Sequence, residues 1–132
     1  MPSFLSSLAG QTNAPLALIN RSSGAVVATH LLPALDSATR RTGLLQHTSL
    51  PVGTAMIIAP SNAIHTWFMR FDIDVIFVAR DGRVLKVRQR MRPWRMAAAL
   101  RGFAVVELAA GTLARLAVSP GDGLVLAGPE TA

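Results

Sequence analysis

Residues 63–91 read AIHTWFMRFDIDVIFVARDGRVLKVRQRM. Two runs of strand-forming residues flank the dipeptide Asp81-Gly82, and a two-residue Asp-Gly loop between such runs is a strong short-range signal for a β-hairpin. We therefore pair residues 73–80 with residues 83–91. The loop is predicted to be a type I′ turn, in which both central residues have a positive φ.

Further short strands are predicted on both sides of this hairpin. Towards the N terminus, the turn-like cluster RSSG separates residues 15–20 from residues 25–32, which predicts a second hairpin. Residues 54–59 form an apolar run short enough for a buried strand, and residues 103–108 and 124–127 have the composition of strands. Several short strands with closely spaced turn signals are typical of a sandwich or a barrel.

Helical signals are few. Asp36 is a good N-cap residue and Gly43 suits the left-handed position after a helix, so a helix of about two turns is predicted between them. Residues 96–101 are expected to add a helical turn, and residues 109–118 to be part helix or loop. The predicted fold class is mainly β: a small single-domain barrel or sandwich of short, mostly antiparallel strands with one or two short helices.

The size and composition of the chain fit one domain. Its 132 residues include 51% hydrophobic and 15% charged residues, which is ample material for one packed core. We assign residues 1–14 to a flexible N-terminal lead-in, residues 15–127 to the β domain and residues 128–132 to a loose C-terminal tail. The oligomeric state is left open.

The sequence also excludes several classes of protein. No run approaches the roughly 20 apolar residues that span a bilayer, so we expect a soluble protein without a membrane span. Residues 1–14 lack the basic start of a secretory signal, which makes the cytoplasm the default location and export the alternative if a signal was removed. The absence of cysteine excludes disulfides and thiolate metal sites, and with three histidines available we predict neither a metal nor a cofactor.

The net charge of +6 is concentrated in one region. Residues 80–101 contain eight basic residues against the single acid Asp81, a density that attracts anions. Within residues 85–92, however, the basic residues occupy alternate positions, as expected for the solvated face of a strand. We therefore interpret this basic stripe as a solvated face, and weak nucleic-acid binding is only a third functional possibility because aromatic residues for base stacking are few.

Several motifs, in this order, carry a resemblance to a known family: RTGLL at 41–45, TWFMR at 66–70, IDVIFV at 73–78 with Asp81-Gly82, Pro93-Trp94, ELAAG at 107–111, and Gly121-Asp122. Over residues 16–125 the chain resembles the DUF192 (UPF0127) family. The resemblance implies a compact, mainly β fold with little helix. It implies no biochemical role, because the role of the family is unassigned.

The chain departs from the family pattern at two places. Family members commonly carry Gly-Leu-Met where this chain has Gly43-Leu44-Leu45, a swap of similar volume that indicates packing. Many members also have a longer insertion with Lys-Asn-Thr between the aromatic-Met motif and the following strand. This chain runs directly from Arg70 to Asp74, so no role of that insertion is carried over.

The segment from Trp67 to Asp74 is the candidate binding region. Its aromatic residues and Met69 could line an apolar pocket with cationic groups at its ends, although ordinary core packing is the simpler interpretation. If Trp67 and Phe68 lie in one strand, they must point to opposite faces. The predicted ligand-binding set is Arg41, His65, Trp67, Met69, Arg70, Asp74, Trp94 and Glu107. The preferred function is a binding or accessory domain for a small polar or anionic ligand.

The alternative function is a small hydrolase or isomerase that uses His65 with Asp74 or Glu107 as acid and base. In an extended segment His65 and Asp74 would lie on opposite faces, which counts against that pair. We interpret Asp74 as an acceptor for backbone amides or an arginine. Glu107 is expected to face outward or to be buried with Arg41 or Arg70. Whether the protein is an enzyme is left open.

Overall fold

The computed structural model of the chain describes residues 2–9, 16–45 and 47–128. Most of the predicted tail, and Met1 and residues 10–14 of the predicted lead-in, lie outside the described residues. The rest of the lead-in differs from a loose segment. Leu5 is buried in the core, and the amide of Phe4 donates a hydrogen bond of 2.9 Å to the carbonyl of Arg80.

Strands dominate the described chain: β1 (Ala17–Asn20), β2 (Val26–Ala28), β3 (His30–Ala34), β4 (Thr54–Ile58), β5 (Ala63–His65), β6 (Ile73–Val78), β7 (Val84–Met91), β8 (Met96–Ala98), β9 (Ala104–Ala109) and β10 (Leu124–Ala127). The helices are α1 (Ser6–Ala9), α2 (Ser37–Thr42) and α3 (Thr112–Leu116). The predicted mainly β class is confirmed, with three short helices in the described residues instead of one or two.

The strands form three sheets. The largest has the order β3-β4-β9-β6-β7, in which only the β3–β4 pair is parallel. A three-stranded sheet has the order β10-β1-β2, and β5 pairs with β8. The two larger sheets make a sandwich-like domain, and the strands of the described residues do not close into a barrel.

Both faces of the five-stranded sheet are apolar. Alternate residues on one face, such as Ile76 and Val106, pack against Leu18 and Leu124 of the three-stranded sheet. The other face carries a second cluster that includes Ile58, Ile73, Val75, Phe77 and Val105, and it is covered by Leu44, Met69 and Ala97. The central strands β4, β6 and β9 are therefore apolar almost throughout, as strands buried on both faces are. We call this second side the covered face.

The hairpin predicted around Asp81-Gly82 is confirmed by the antiparallel β6–β7 pair, but the predicted type I′ turn is wrong. Ala79 and Arg83 share a hydrogen bond of 2.8 Å, and the amide of Gly82 donates to the carbonyl of Ala79 at 2.9 Å, so the loop contains three residues. Gly82 has φ +96°, whereas Asp81 is not among the described residues with a positive φ. A three-residue loop needs only one left-handed residue.

Of the two helical segments predicted at residues 96–101 and after Asp36, only the second is present. The helical turn predicted for residues 96–101 is wrong, because Met96–Ala98 forms β8 and pairs with β5. The helix after Asp36 is confirmed: Asp36 Oδ1 accepts a hydrogen bond of 2.8 Å from the amide of Thr39, and Gly43 follows the helix with φ +48°. In the described part of the chain, no helix has the length and apolar character needed to cross a membrane.

Candidate functional site

A cavity of about 480 Å³ lies on the covered face of the five-stranded sheet. Helix α2 and the turn after it form one wall, β5 forms another, and Glu107 of β9 contributes from the sheet. The polar lining residues are Ser37, Arg40, Arg41, Thr42, Ser61, His65 and Glu107. Leu44, Leu45, Ile58, Ile64 and Met69 supply the apolar part. A cavity of this size, with an apolar part and convergent polar side chains, is in the range of small-molecule sites.

Helix α2 presents two cations to the cavity. Its start is fixed by Asp36, whose side chain accepts hydrogen bonds from the amide and the hydroxyl of Thr39. The amide hydrogen bond is the main reason why the pKa of Asp36 is lowered. The guanidinium of Arg40 is held by a hydrogen bond of 3.0 Å that it donates to the carbonyl of Leu35, while Arg41 is exposed.

Glu107 is the unusual residue of the site. Alternation along β9 places its side chain on the covered face, opposite Met56 and Val75 in the neighbouring strands. The residue is only 3% exposed, and its Oε1 is buried with no hydrogen-bond partner among the described residues. Burial raises the pKa of Glu107 to about 7. We had expected Glu107 to face outward or to be buried with Arg41 or Arg70. Both expectations are wrong, because the side chain is buried and pairs with neither arginine.

His65 and Met69 reach the same cavity from the other wall. His65 ends β5, and its ring stacks on that of Trp67 with a centroid separation of 4.5 Å. Met69 follows the turn and is buried in the cluster on the covered face. Four members of the predicted set, Arg41, His65, Met69 and Glu107, thus line one cavity. His65 and Glu107 both line this cavity, which is compatible with the predicted acid–base alternative.

Asp74 does not line the cavity. Its Oδ2 accepts hydrogen bonds from the amides of Gly111 and Leu113, and its Oδ1 accepts one from the amide of Arg90. The interpretation of Asp74 as an acceptor for backbone amides is confirmed. These contacts fix the start of α3 and one end of β7, which gives the buried carboxylate a structural role.

Trp67, Arg70 and Trp94 also lie outside the cavity lining. Trp67 and Phe68 occupy a turn and not a strand, so the expected alternation between opposite faces does not apply. Phe68 and Trp94 both have φ +67°, a backbone region that bulky residues rarely adopt. The three predicted residues are exposed at the surface next to the site.

The comparisons with known proteins agree with this architecture. The family model of DUF192, described as an uncharacterized ACR, matches residues 18–126, which is most of the chain. The chain belongs to the DUF192 family. The predicted resemblance is thereby confirmed, and no curated protein matches the chain.

Two solved structures share the fold of this DUF192 domain. A protein of unknown function from Novosphingobium aromaticivorans is 27% identical, with a TM-score of 0.72 over 83% of this chain and 82% of that one. A putative transcription regulator from Sinorhizobium meliloti is 24% identical, with a TM-score of 0.70 over 86% of this chain and 95% of that one. The second similarity shows the fold alone.

The sequence reasoning missed part of the lining of the DUF192 cavity. Ser37 stands four residues before Arg41 on the predicted helix, so helical spacing from Arg41 was a usable signal for Ser37, whereas Arg40 is adjacent to Arg41 and had no such signal. Ile58 and Ile64 gave no such signal, since an apolar residue in a strand resembles any core residue. Among residues 2–9, 16–45 and 47–128, no group of three or more His, Asp or Glu residues is placed to hold a metal ion.

Proposed function

We propose that this DUF192 domain binds a small molecule in the cavity between α2, β5 and β9. The observation that carries the proposal is the buried Oε1 of Glu107, which has no hydrogen-bond partner among the described residues. An unpartnered buried carboxyl oxygen costs about 1–3 kcal/mol. A ligand hydroxyl or amine that donates to this oxygen would recover that free energy.

The rest of the lining describes the complementary ligand. Arg40 and Arg41 supply positive charge at the α2 wall, which favours an anionic group such as a carboxylate or a phosphate. Leu45 and Ile64 offer an apolar surface for the body of the ligand. The best match is a small molecule with an anionic group at one end and a hydrogen-bond donor towards Glu107.

This location refines the binding region predicted from the sequence. The prediction placed the ligand beside the Trp67 to Asp74 segment, and the cavity touches that segment only through Met69. The cations come from α2 instead of Arg70. The proposed ligand therefore lies between α2, β5 and the sheet, and Trp67 and Trp94 are not among the residues that line its cavity.

A thermal-shift screen of small anionic metabolites and sugar phosphates tests the proposal. A true ligand is expected to raise the melting temperature of the wild-type chain, because binding only to the folded state stabilises it. The shift should be lost or strongly reduced in Arg41→Gln and in Glu107→Gln. Arg115→Gln, on the exposed side of α3, is the matched control and should keep the shift.

Two results would contradict a ligand site in this cavity. One is a screen in which no compound changes the melting temperature at concentrations up to the millimolar range. The other is a compound whose shift is the same in the wild type, Arg41→Gln and Glu107→Gln, which would place its binding site elsewhere.

A second candidate function is supported by one observation, the presence of His65 and Glu107 in the same cavity. A carboxyl group with a pKa of about 7 exists in both protonation states near neutral pH, which suits a general acid or base. Once a ligand is known, Glu107→Gln should abolish turnover while His65→Gln reduces it. If the ligand is bound but never converted, this candidate fails and the binding function stands.

A further inference from the structure

Large apolar side chains are exposed in one region of the surface. Seven large hydrophobic residues are exposed in the described part of the chain, and five of them fall between residues 67 and 100. These five are Trp67, Phe68, Trp94, Met96 and Leu100. We call them the aromatic face. Phe68 is 69% exposed and Leu100 is 91% exposed, so this apolar surface is in water and not part of the core.

Ring contacts and strand pairing connect most of the aromatic face. Phe68 and Trp94 are in contact, with ring centroids 4.7 Å apart. Trp67 stacks on His65, and His65 is opposite Met96 in the β5–β8 pair. His65 and Met96 both point outward, whereas Ala97 between the outer residues of β8 is buried. Two turns and one short strand pair therefore present a common surface.

Thr66 holds the two turns together. Its buried hydroxyl donates to the carbonyl of Arg92 and accepts a hydrogen bond of 2.9 Å from the amide of Arg95. Its carbonyl accepts a hydrogen bond of 3.0 Å from the amide of Trp94. This clamp keeps Phe68 and Trp94 in the left-handed backbone region, where a bulky residue is strained. The fold thus keeps two aromatic rings exposed at a cost in stability.

The charge around the aromatic face has one sign. Arg70, Arg92 and Arg95 are exposed beside the aromatic residues. The sequence contains no acidic residue from position 61 to 71 or from position 82 to 106. A surface that combines exposed apolar side chains with these arginines is complementary to a partner that is both apolar and anionic.

We propose that the aromatic face docks onto the surface of an anionic lipid bilayer. Trp, Phe, Met and Leu side chains would enter the boundary between headgroups and acyl chains, where aromatic residues are enriched. The three arginines would lie at the level of the lipid phosphates, where each cation near an anionic leaflet strengthens binding. The small-molecule site and the aromatic face meet at His65, which lines the cavity and stacks on Trp67, but neither proposal depends on the other.

The shape of the aromatic face favours a bilayer over other anionic partners. None of its five residues lines either of the two cavities described for the chain, whereas helical and proline-rich peptides are held in grooves. Single-stranded nucleic acid needs free ring faces for its bases. Here one face of Trp67 is covered by His65, and the rings of Phe68 and Trp94 meet at 60°.

The two tryptophans of the sequence, Trp67 and Trp94, both belong to the aromatic face, so intrinsic fluorescence reports on it directly. The full chain is mixed with vesicles of phosphatidylcholine, with or without about 30% phosphatidylserine, at low salt. With phosphatidylserine we expect co-sedimentation, a blue shift of the emission, and quenching by lipids brominated near the headgroup. With phosphatidylcholine alone, binding should be at least about ten-fold weaker, because attraction to anionic lipids is lost.

Variants distinguish insertion from simple charge attraction. Phe68→Asn combined with Trp94→Asn removes two rings and places a residue that tolerates positive φ at each site. We expect binding to anionic vesicles to fall about ten-fold or more, since the buried apolar area sets interfacial affinity, while the melting temperature stays unchanged or rises. Val52→Ser removes an equally exposed apolar side chain elsewhere and should bind as the wild type does.

Charge variants complete the test. Arg92→Gln with Arg95→Gln should weaken binding about ten-fold or more, since each basic residue near an anionic membrane surface strengthens binding. The matched pair Arg21→Gln with Arg115→Gln should change it little. The proposal is overturned if the wild type does not bind anionic vesicles, or if the Asn double variant binds as well as the wild type. Binding to a single-stranded oligonucleotide without vesicle binding would also overturn it and assign the face to nucleic acid.

Discussion

Asp74 Oδ2 accepts a hydrogen bond of 2.8 Å from the backbone amide of Leu113, 39 positions further along the chain. The same carboxylate accepts hydrogen bonds from Gly111 and Arg90, so it joins β6, β7 and the start of α3. Asp74 is completely buried, and its three bonds satisfy amides that would otherwise have no partner. An acidic side chain in an apolar strand is here part of the backbone framework.

The first prediction concerns this framework. Asp74→Asn replaces one acceptor oxygen with an NH₂ group that faces backbone amides, so the free energy of unfolding should fall by about 2–3 kcal/mol. Urea unfolding followed by circular dichroism measures the change. Asp72→Asn, two residues earlier and with no side-chain hydrogen bond to the described residues, should change stability by less than about 0.5 kcal/mol. Equal effects of the two substitutions would contradict the role assigned to Asp74.

The second prediction concerns Glu107 and pH. Its folded pKa of about 7 lies above its ordinary value of 4.5, so the folded state binds the proton more tightly than the unfolded state. The resulting stability is fully present below pH 4.5 and is lost as pH rises through about 7. Relative to Glu107→Gln, the wild type should therefore lose about 2 kcal/mol of unfolding free energy between pH 5.5 and pH 8. Parallel pH profiles for the two proteins would show that the pKa is not raised.

The third prediction concerns the clamp at Thr66. Thr66→Val keeps the shape of the side chain but removes the hydroxyl that bonds to Arg92 and Arg95. We expect a loss of about 1–3 kcal/mol in unfolding free energy, because the amide of Arg95 is left without this acceptor. Thr48→Val, at an exposed position, is the control and should be close to neutral. Tryptophan emission should also change in Thr66→Val alone, because Trp94 is held by the clamped turn.

The fourth prediction separates a steric clash from backbone strain. Gly82 and Gly121 have φ values of +96° and +95°, so an alanine at either position has the same unfavourable backbone. A Cβ at Gly82 would lie against the carbonyl of Leu124, whereas at Gly121 nothing lies within 4 Å. Gly121→Ala should lower the free energy of unfolding by about 1–2 kcal/mol. Gly82→Ala should lower it by clearly more. Thermal unfolding of both variants gives the comparison, and equal losses would argue against the close approach of the Gly82 turn to β10.

Local signals in the sequence predicted much of the fold. Asp36 and Gly43 marked the limits of α2, and the Asp-Gly dipeptide located the β6–β7 hairpin, because capping and turn chemistry act over a few residues. Helix was wrongly predicted from residue 96 because alanine has a high helix propensity, which pairing with β5 overrides in the folded chain. The type of the hairpin turn also depended on more than its two central residues.

The candidate site was less predictable because it depends on packing between distant segments. The alternation of β9 told us that Glu107 differs in face from Val106 and Leu108, but not that the opposite face is covered by α2 and β5. Burial on both sides of a sheet removes the usual distinction between an inner and an outer face. The positive φ of Phe68 likewise has no signature in its residue type, so the turn that exposes it was not foreseen.

The pairing of β1 with β10 bears on how the chain is made. Ala17 is the register partner of Ala127, so the first strand leaves the ribosome more than a hundred residues before the strand that completes its sheet. Until then Leu18, a core residue, lacks the cover of Leu124. Such long-range pairing slows folding and leaves apolar surface open during synthesis. A nascent chain that stalls before residue 124 would therefore be a substrate for chaperones or proteases, and not a folded intermediate awaiting release.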